Sequence, residues 1–337
     1  MSGEPTVSSH VHESALRQAW CVRTSTWQWA CYARVSRTLR RCCCLCVLST
    51  SPTCVFAHMH ATISISSSGL EITTESSHAV QAHAYLYASI FARYEFTPPE
   101  DPGNDDVPFV CFELKLDTLV AALTLLENII QRHRGDASVE LTYDGVGYPL
   151  TLSCVRADRM SDGRLHTRFQ LQTLDAEAIE SLGFDAARTA AHVIVPSEWL
   201  SYAFQDIEAS GDAYVRVRVT DKGRRSLVLS TSGTHGSAEI ELPDTDQLTE
   251  RFECGAQTDN WYPLTCISDT LAALRSSIKT SLRADMHGML SLQFMVASSR
   301  AGSRRSVAAS GHAFVEFLVR ICSHVLSSGH RSHTRAT

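Results

Sequence analysis

The sequence predicts an α+β protein made by duplication, with two modules of about 150 residues each. Three observations carry this prediction. Asp117-Thr118-Leu119-Val120-Ala121-Ala122-Leu123 returns 152 residues later as Asp269-Thr270-Leu271-Ala272-Ala273-Leu274. Upstream of each copy lies a strand pair folded around a glycine. One is Ala61–Ser66 and Leu70–Glu75 around Gly69; the other is Tyr214–Thr220 and Ser226–Thr231 around Gly223, with the glycines 154 apart. Downstream of each copy comes a further pair: Val139–Tyr143 and Tyr148–Cys154 around Gly145 and Gly147, then Thr280–Ala284 and Met289–Val296 around Gly288. A repeat of this length is a pair of domains, not the short unit of a solenoid.

Taken in order, residues 1–57 show no regular period. Trp20, Trp27 and Trp29 crowd together ahead of the run Cys42-Cys43-Cys44-Leu45-Cys46, and Ala33–Arg41 alone has the length for two helical turns. Alternation begins at Ala61 and runs on through Val80–Tyr87 and Ile90–Phe96, each read as a strand. Thr97–Val107 is an acidic, proline-bearing loop. Phe109–Leu114 is a strand. Asp117–Gln131 is a helix, because Leu119, Leu123, Leu126 and Ile130 share one face while Ala121, Thr124, Asn128 and Gln131 make a small, neutral opposite face. Asp117 is placed as its N-cap. Arg164–Gln172 alternates as a strand, and Leu174–Ala191 reads as a linker. The second module opens with a strand at His192–Val195. A helix from Ser197 to Ala209 follows, led by Pro196. A last helix from Asp269 puts Leu271, Leu274 and Ile278 in one stripe, and His312–Leu318 is the closing strand.

The net charge of −6 hides a division. Residues 1–57 hold six arginines and two acids, and 297–337 six arginines and one acid, leaving 18 basic against 33 acidic residues in 58–296, a net of −15. Such a body repels DNA over most of its surface, so any nucleic-acid contact is local or topological. Seven of the twelve cysteines fall in the first 54 residues without zinc-finger spacing. Cys111, Cys154, Cys254, Cys266 and Cys322 are isolated in apolar contexts and read as buried thiols of a reducing compartment. No run of 18 apolar residues is present, and the expectation is a soluble, intracellular chain with no membrane partner.

Catalytic signatures are missing. There is no GxxxxGK[ST], GxSxG or HExxH, and no GxG between a strand and a helix. His58 and His60 could chelate a metal but lack a third ligand nearby. Asp101, Asp105 and Asp106 sit in a proline-rich loop without a scaffold to hold two metals. The expectation is no enzyme, no cofactor, no metal and no small-molecule substrate.

The stretch Phe56–Thr62 with Gly69-Leu70-Glu71-Ile72-Thr73-Thr74-Glu75 and Ala79–Tyr85 resembles the Rad-one subunit of the checkpoint (nine-one-one) sliding clamp. So do Tyr143-Asp144-Gly145-Val146-Gly147-Tyr148-Pro149-Leu150, Phe252-Glu253-Cys254, Gly288–Met295 and Phe314-Val315-Glu316-Phe317. The resemblance implies a fold like that of proliferating cell nuclear antigen: two domains, each of two helices backed by curved antiparallel sheet. It divides the chain into a segment 1–55 that is non-globular or not genuine coding sequence, clamp domains 56–173 and 192–318, a connector 174–191, and a tail 319–337. A first strand and helix would precede Phe56, where only 33–41 is a candidate; the expectation is that both end tracts are translated non-coding sequence.

The same resemblance implies a nuclear, heterotrimeric ring with Rad-nine-like and Hus-one-like subunits, a clamp loader, and double-stranded DNA through the hole. Arg164–Gln172 and Gly236–Leu242 would be the strands that pair with neighbouring subunits. Arg37, Arg40 and Arg41 on the first helix, Arg132 and Arg134 at the end of the second, and Arg275 and Lys279 on the fourth would face DNA. The third helix, with Glu198, Asp206 and Glu208, carries no base. Leu174, Ile179, Leu182 and Phe184 in the connector would either capture partner peptides or pin the connector to its own domains. A 3′→5′ exonuclease, an activity attributed to some family members, and a replicative processivity clamp are the alternative readings.

Overall fold

The computed structural model describes residues 20–22, 31–32, 60–91, 93–98, 109–132, 137–157, 164–176, 179–234, 236–297 and 312–322. A short ribbon of β1 (Trp20–Val22) and β2 (Cys31–Tyr32) comes first. The first module then runs β3 (His60–Ser66), β4 (Gly69–Ser76), β5 (Val80–Tyr87), β6 (Phe109–Lys115), α1 (Leu116–Arg132), β7 (Ala137–Tyr143), β8 (Leu150–Ala157) and β9 (Arg164–Leu171). The second opens with β10 (Thr189–Pro196), α2 (Ser197–Glu208), β11 (Tyr214–Thr220), β12 (Ser226–Gly233) and β13 (Gly236–Pro243). It continues with β14 (Arg251–Cys254), β15 (Thr258–Pro263), α3 (Leu264–Ser268), α4 (Leu271–Ser276), β16 (Ser277–Asp285), β17 (Leu290–Ala297) and β18 (His312–Val319).

The duplication appears in the sheet order. The first module builds β5-β4-β3-β6 and β7-β8-β9; the second builds β13-β12-β11-β15 and β16-β17-β18. All these pairings are antiparallel. The modules are fused where β18 pairs with β5, which makes one nine-stranded sheet, β14-β10-β16-β17-β18-β5-β4-β3-β6. Alternation drives this arrangement: Ile63, Ile65, Ile72, Ala82 and Ala84 point inward from one module, and Leu282, Leu292, Phe294, Val315 and Phe317 from the other, all essentially buried. Phe112 stacks on Tyr143 at 4.1 Å, tying β6 to β7 across the first core. Gly69 is required by close approach, since its φ is +144° and a Cβ there would stand 2.2 Å from the Leu86 carbonyl oxygen.

α1 buries Leu119, Leu123 and Leu126, as its period predicts. Asp117 is not its N-cap: the helix begins at Leu116 and Asp117 lies inside the first turn, accepting from the Thr118 amide at 2.6 Å. The repeated Asp-Thr-Leu motif is not structurally equivalent either. In the first copy it lies one residue into α1; in the second, Asp269 and Thr270 form the break between α3 and α4. The duplication is therefore one of elements, with the two motif copies about one helical turn out of step.

The last helix is also shorter than the apolar stripe implies. It stops at Ser276, and Ile278 and Lys279 belong to β16, with Ile278 exposed. The Ser277 hydroxyl donates to the Leu274 carbonyl at 2.8 Å, three residues back, and Ser277 itself is extended (φ −94°, ψ 158°). Side-chain capture of a helix carbonyl followed by β-branched Ile278 and Thr280 favours strand.

Ile90–Phe96 is not a strand. A 3-10 turn over Ala88–Ile90 redirects the chain, Phe91 stacks on Tyr94 at 5.6 Å, and the Tyr94 hydroxyl donates to the Gly69 carbonyl at 2.9 Å. The linker is shorter than read, because β10 already begins at Thr189. The tryptophan-rich beginning, read as free of elements, supplies β1 and β2, whose backbones lie beside β7. That is the place β10 occupies beside β16 in the second module. Residues 33–41, the candidate first helix, lie outside the described residues.

Candidate partner and nucleic-acid interfaces

The connector between β9 and β10 is held at several points. Leu174 exchanges two backbone hydrogen bonds with Glu113 of β6 (2.7 and 2.9 Å), which closes that sheet edge. Its side chain points to solvent, 51% exposed. Ile179 is half-buried and Leu182 is buried. Gln81 of β5, itself fully buried, donates to the Glu180 carbonyl (3.1 Å) and accepts from the Leu182 amide (3.3 Å). Phe184 lies under the Arg283 guanidinium of β16, 4.9 Å from ring centroid to charge. The Asp185 amide donates to the buried Asp285 carboxylate at 3.3 Å. The Asp185 side chain accepts from Arg188 Nε (2.6 Å) and from the Ala187 and Arg188 amides; the Arg188 bond leads in holding this carboxyl below the usual range. The connector thus bonds to β5 of one module and β16 of the other, on both sides of the seam between β5 and β18.

That seam is polar on its outer face. Glu316 of β18 stands opposite His83 of β5. Glu316 accepts from Arg283 (2.8 Å) and Ser291 (2.6 Å), and His83 pairs with Glu71 at 3.0 Å and reaches Gln81 at 3.1 Å. Among the described residues, Arg283 Nε is the buried side-chain nitrogen that lacks a partner.

Of the seven basic residues expected to face DNA, three lie among the described residues. Arg37, Arg40, Arg41 and Arg134 lie outside the described residues, and Arg132 is the last residue of α1. Arg275, in the last turn of α4, is exposed and has no ion partner among the described residues. Lys279 is on β16 rather than a helix and is paired with Glu250 at 2.7 Å. The solvent face of α2 carries Glu198, Trp199, Tyr202 and Asp206, with Trp199 and Tyr202 about half exposed and the Tyr202 hydroxyl donating to Glu198. The sequence reading found the acids of α2 but passed over its aromatics. It also passed over Gln81 and Arg283, which hold the connector and carry no local pattern that marks them. Among the described residues, no three His, Cys, Asp or Glu side chains converge as a metal site.

The family model described as "Repair protein Rad1/Rec1/Rad17" matches residues 44–296. The human "Cell cycle checkpoint protein RAD1" is 30% identical over 251 residues, covering 74% of this chain and 82% of that protein. The Schizosaccharomyces pombe "DNA damage checkpoint control protein rad1" is 24% identical over 267 residues, covering 75% and 79%. The Mycosarcoma maydis "DNA repair exonuclease REC1" is 30% identical over 220 residues, 53% of this chain and 46% of that protein. Among solved structures, the proliferating cellular nuclear antigen of Entamoeba histolytica superposes with a TM-score of 0.59 at 14% identity, over 87% of this chain and 98% of its own. That likeness shows the fold: a duplicated, clamp-type α+β architecture. With three quarters of its length under one family model, the chain belongs to the Rad1/Rec1/Rad17 repair-protein family.

Proposed function

We propose that this chain is a non-catalytic subunit of a heterotrimeric sliding clamp that encircles double-stranded DNA in the nucleus and serves damage checkpoint signalling and repair. The observation that carries the reading is the pairing of a clamp-type fold with relatives named as checkpoint proteins. The domain limits 56–173 and 192–318, with 174–191 between them, belong to this reading, as does a clamp loader that opens the ring.

An acidic body suits a topological grip, in which a few bases keep the duplex centred and no base is read. Arg275 is the favoured DNA-facing residue, joined by Arg132, Arg134 and the arginines at 37, 40 and 41. Leu182 and Phe184 act as pins of the connector, and Leu174 and Ile179 are the ones left to meet a partner peptide. Purification of the tagged full-length chain from its native cells tests the reading. Native mass spectrometry is expected to give one copy of this chain with one each of two clamp-like chains. A stable trimer of this chain alone would favour the replicative reading, and recovery without clamp-like partners would overturn both.

The Mycosarcoma relative's name supports an exonuclease as the second reading. It requires that the purified complex degrade 3′ ends and lose this activity when a single carboxylate is changed.

A further inference from the structure

Apart from the β1–β2 ribbon, six strands among the described residues end a sheet, and four of them are covered or short. β6 is bridged by Leu174, β15 receives the Cys322 amide on the Trp261 carbonyl at 2.8 Å, β7 has β1 beside it, and β14 is only four residues long. β9 and β13, eight residues each, have no strand on their outer side among the described residues. Long open edges expose rows of main-chain donors and acceptors that invite pairing.

The internal duplication supplies a template for that pairing. β9 holds the place in its sheet that β18 holds in the second module, and β13 the place that β5 holds in the first. Within the chain, β18 and β5 pair antiparallel, with Glu316 opposite His83 on the outer face. Aligning the strands from their first residues puts Arg168 at the position of Glu316 and Glu239 at that of His83. The inward and outward alternation agrees: Phe169 and Leu171 face the core from β9, as Ala238, Ile240 and Leu242 do from β13. In this register the outer positions of β9 carry His166 and Arg168, and those of β13 carry Glu241 and Glu239. All four are exposed. His166, Arg168 and Glu241 have no ion partner among the described residues, while Glu239 reaches Arg218 at 3.6 Å.

Charges of either sign protect an open edge from aggregation, so protection alone does not explain why bases gather on one edge and acids on the other. We propose that the ring's subunit order is written in these edges. β9 seats the edge strand of a neighbouring subunit that presents acids opposite His166 and Arg168, and β13 seats the edge strand of the other neighbour, which presents bases opposite Glu239 and Glu241. The inference rests on the ring reading above and extends it by fixing the chemistry of each neighbour. Opposite charges across an edge pairing set register and exclude wrong partners, because like charges facing each other there repel.

The test co-expresses the tagged full-length chain with one clamp neighbour at a time, using the two chains recovered in the native purification. The H166E/R168E variant is expected to weaken the complex with one neighbour by about tenfold or more and leave the other within about twofold. The E239K/E241K variant is expected to do the reverse, and both wild-type pairs to loosen as salt rises. Thermal melting of each variant alone checks the fold, which these exposed positions should leave intact. If both variants keep both neighbours at wild-type affinity, or if each loses the same neighbour, the charge code is wrong while the ring stands. If wild-type chain recovers no clamp neighbour, the ring reading fails and the inference fails with it. If the isolated chain assembles with itself, and R168E breaks this while R168E with E239K restores it, the edges seat a second copy and the two-neighbour assignment is overturned.

Discussion

Gln81 shows how one residue can set the path of a connector. Its amide is fully buried and serves both the Glu180 carbonyl and the Leu182 amide, so the loop is held through its main chain as well as by its packed side chains. Leu182 then enters the core edge while Leu174 stays in solvent. Those burials predict opposite outcomes for the same change. Leu182→Ser should destabilise by about 2–4 kcal/mol through lost apolar burial and an unpartnered hydroxyl. Leu174→Ser should stay within about 0.5 kcal/mol, because its backbone bonds to Glu113 do not depend on the side chain. Urea unfolding of the two variants reads this directly. Equal effects, or the larger effect at Leu174, would mean that the connector does not follow this path. Phe184 belongs with Leu182: its ring lies under a guanidinium at 4.9 Å, a contact worth about 0.5–2 kcal/mol.

At the scale of elements, most strands and the bounds of α1 and α2 were legible, and the end of the last helix was not. Alternation at Ala61–Ser66, Tyr214–Thr220 and His312–Leu318 located β3, β11 and β18 within a residue or two, since one buried face imposes a period of two. The stripe Leu271, Leu274, Ile278 misled because four-residue spacing also fits a helix whose last member has crossed into a strand. The serine that stops it acts through a hydrogen bond that spacing does not reveal. Ile90–Phe96 misled in the opposite sense: Ile90, Ala92, Tyr94 and Phe96 have a period of two, yet Phe91, of the other parity, stacks on Tyr94, whose hydroxyl bonds to the turn of the β3–β4 hairpin. The grip on the connector was illegible for a different reason. Gln81 and Arg283 are about one hundred residues from the segments they hold, so only the folded sheet brings them together. Helix ends bear on DNA contact too. Arg275 is exposed at the end of α4, whereas Lys279 sits on β16 in an ion pair. On a short linear duplex, where closure cannot hold the assembled complex, Arg275→Glu should weaken equilibrium DNA binding and reduce its salt slope by about one. Lys279→Gln should change neither by much; a larger loss at Lys279 would place the duplex against the sheet instead of the helices.

At the scale of the whole molecule, the chain is two modules fused by one strand pairing, and the same pairing is left available at β9 and β13. In the proposed ring, such a subunit would contribute one complete sheet junction and half of two more, a head-to-tail arrangement. The net of −15 in residues 58–296 suits the proposed ring, which would hold DNA by closure rather than by charge. Retention on DNA of different topology tests this claim most directly. The purified complex is loaded with its clamp loader onto nicked circular DNA, washed at high salt, and the circle is then cut once with a restriction enzyme. Closure predicts that the complex survives the wash on circles and is released within minutes of linearisation. Loss from intact circles at high salt, or retention on linear DNA with free ends, would show that contact and not closure holds it, and would contradict the account.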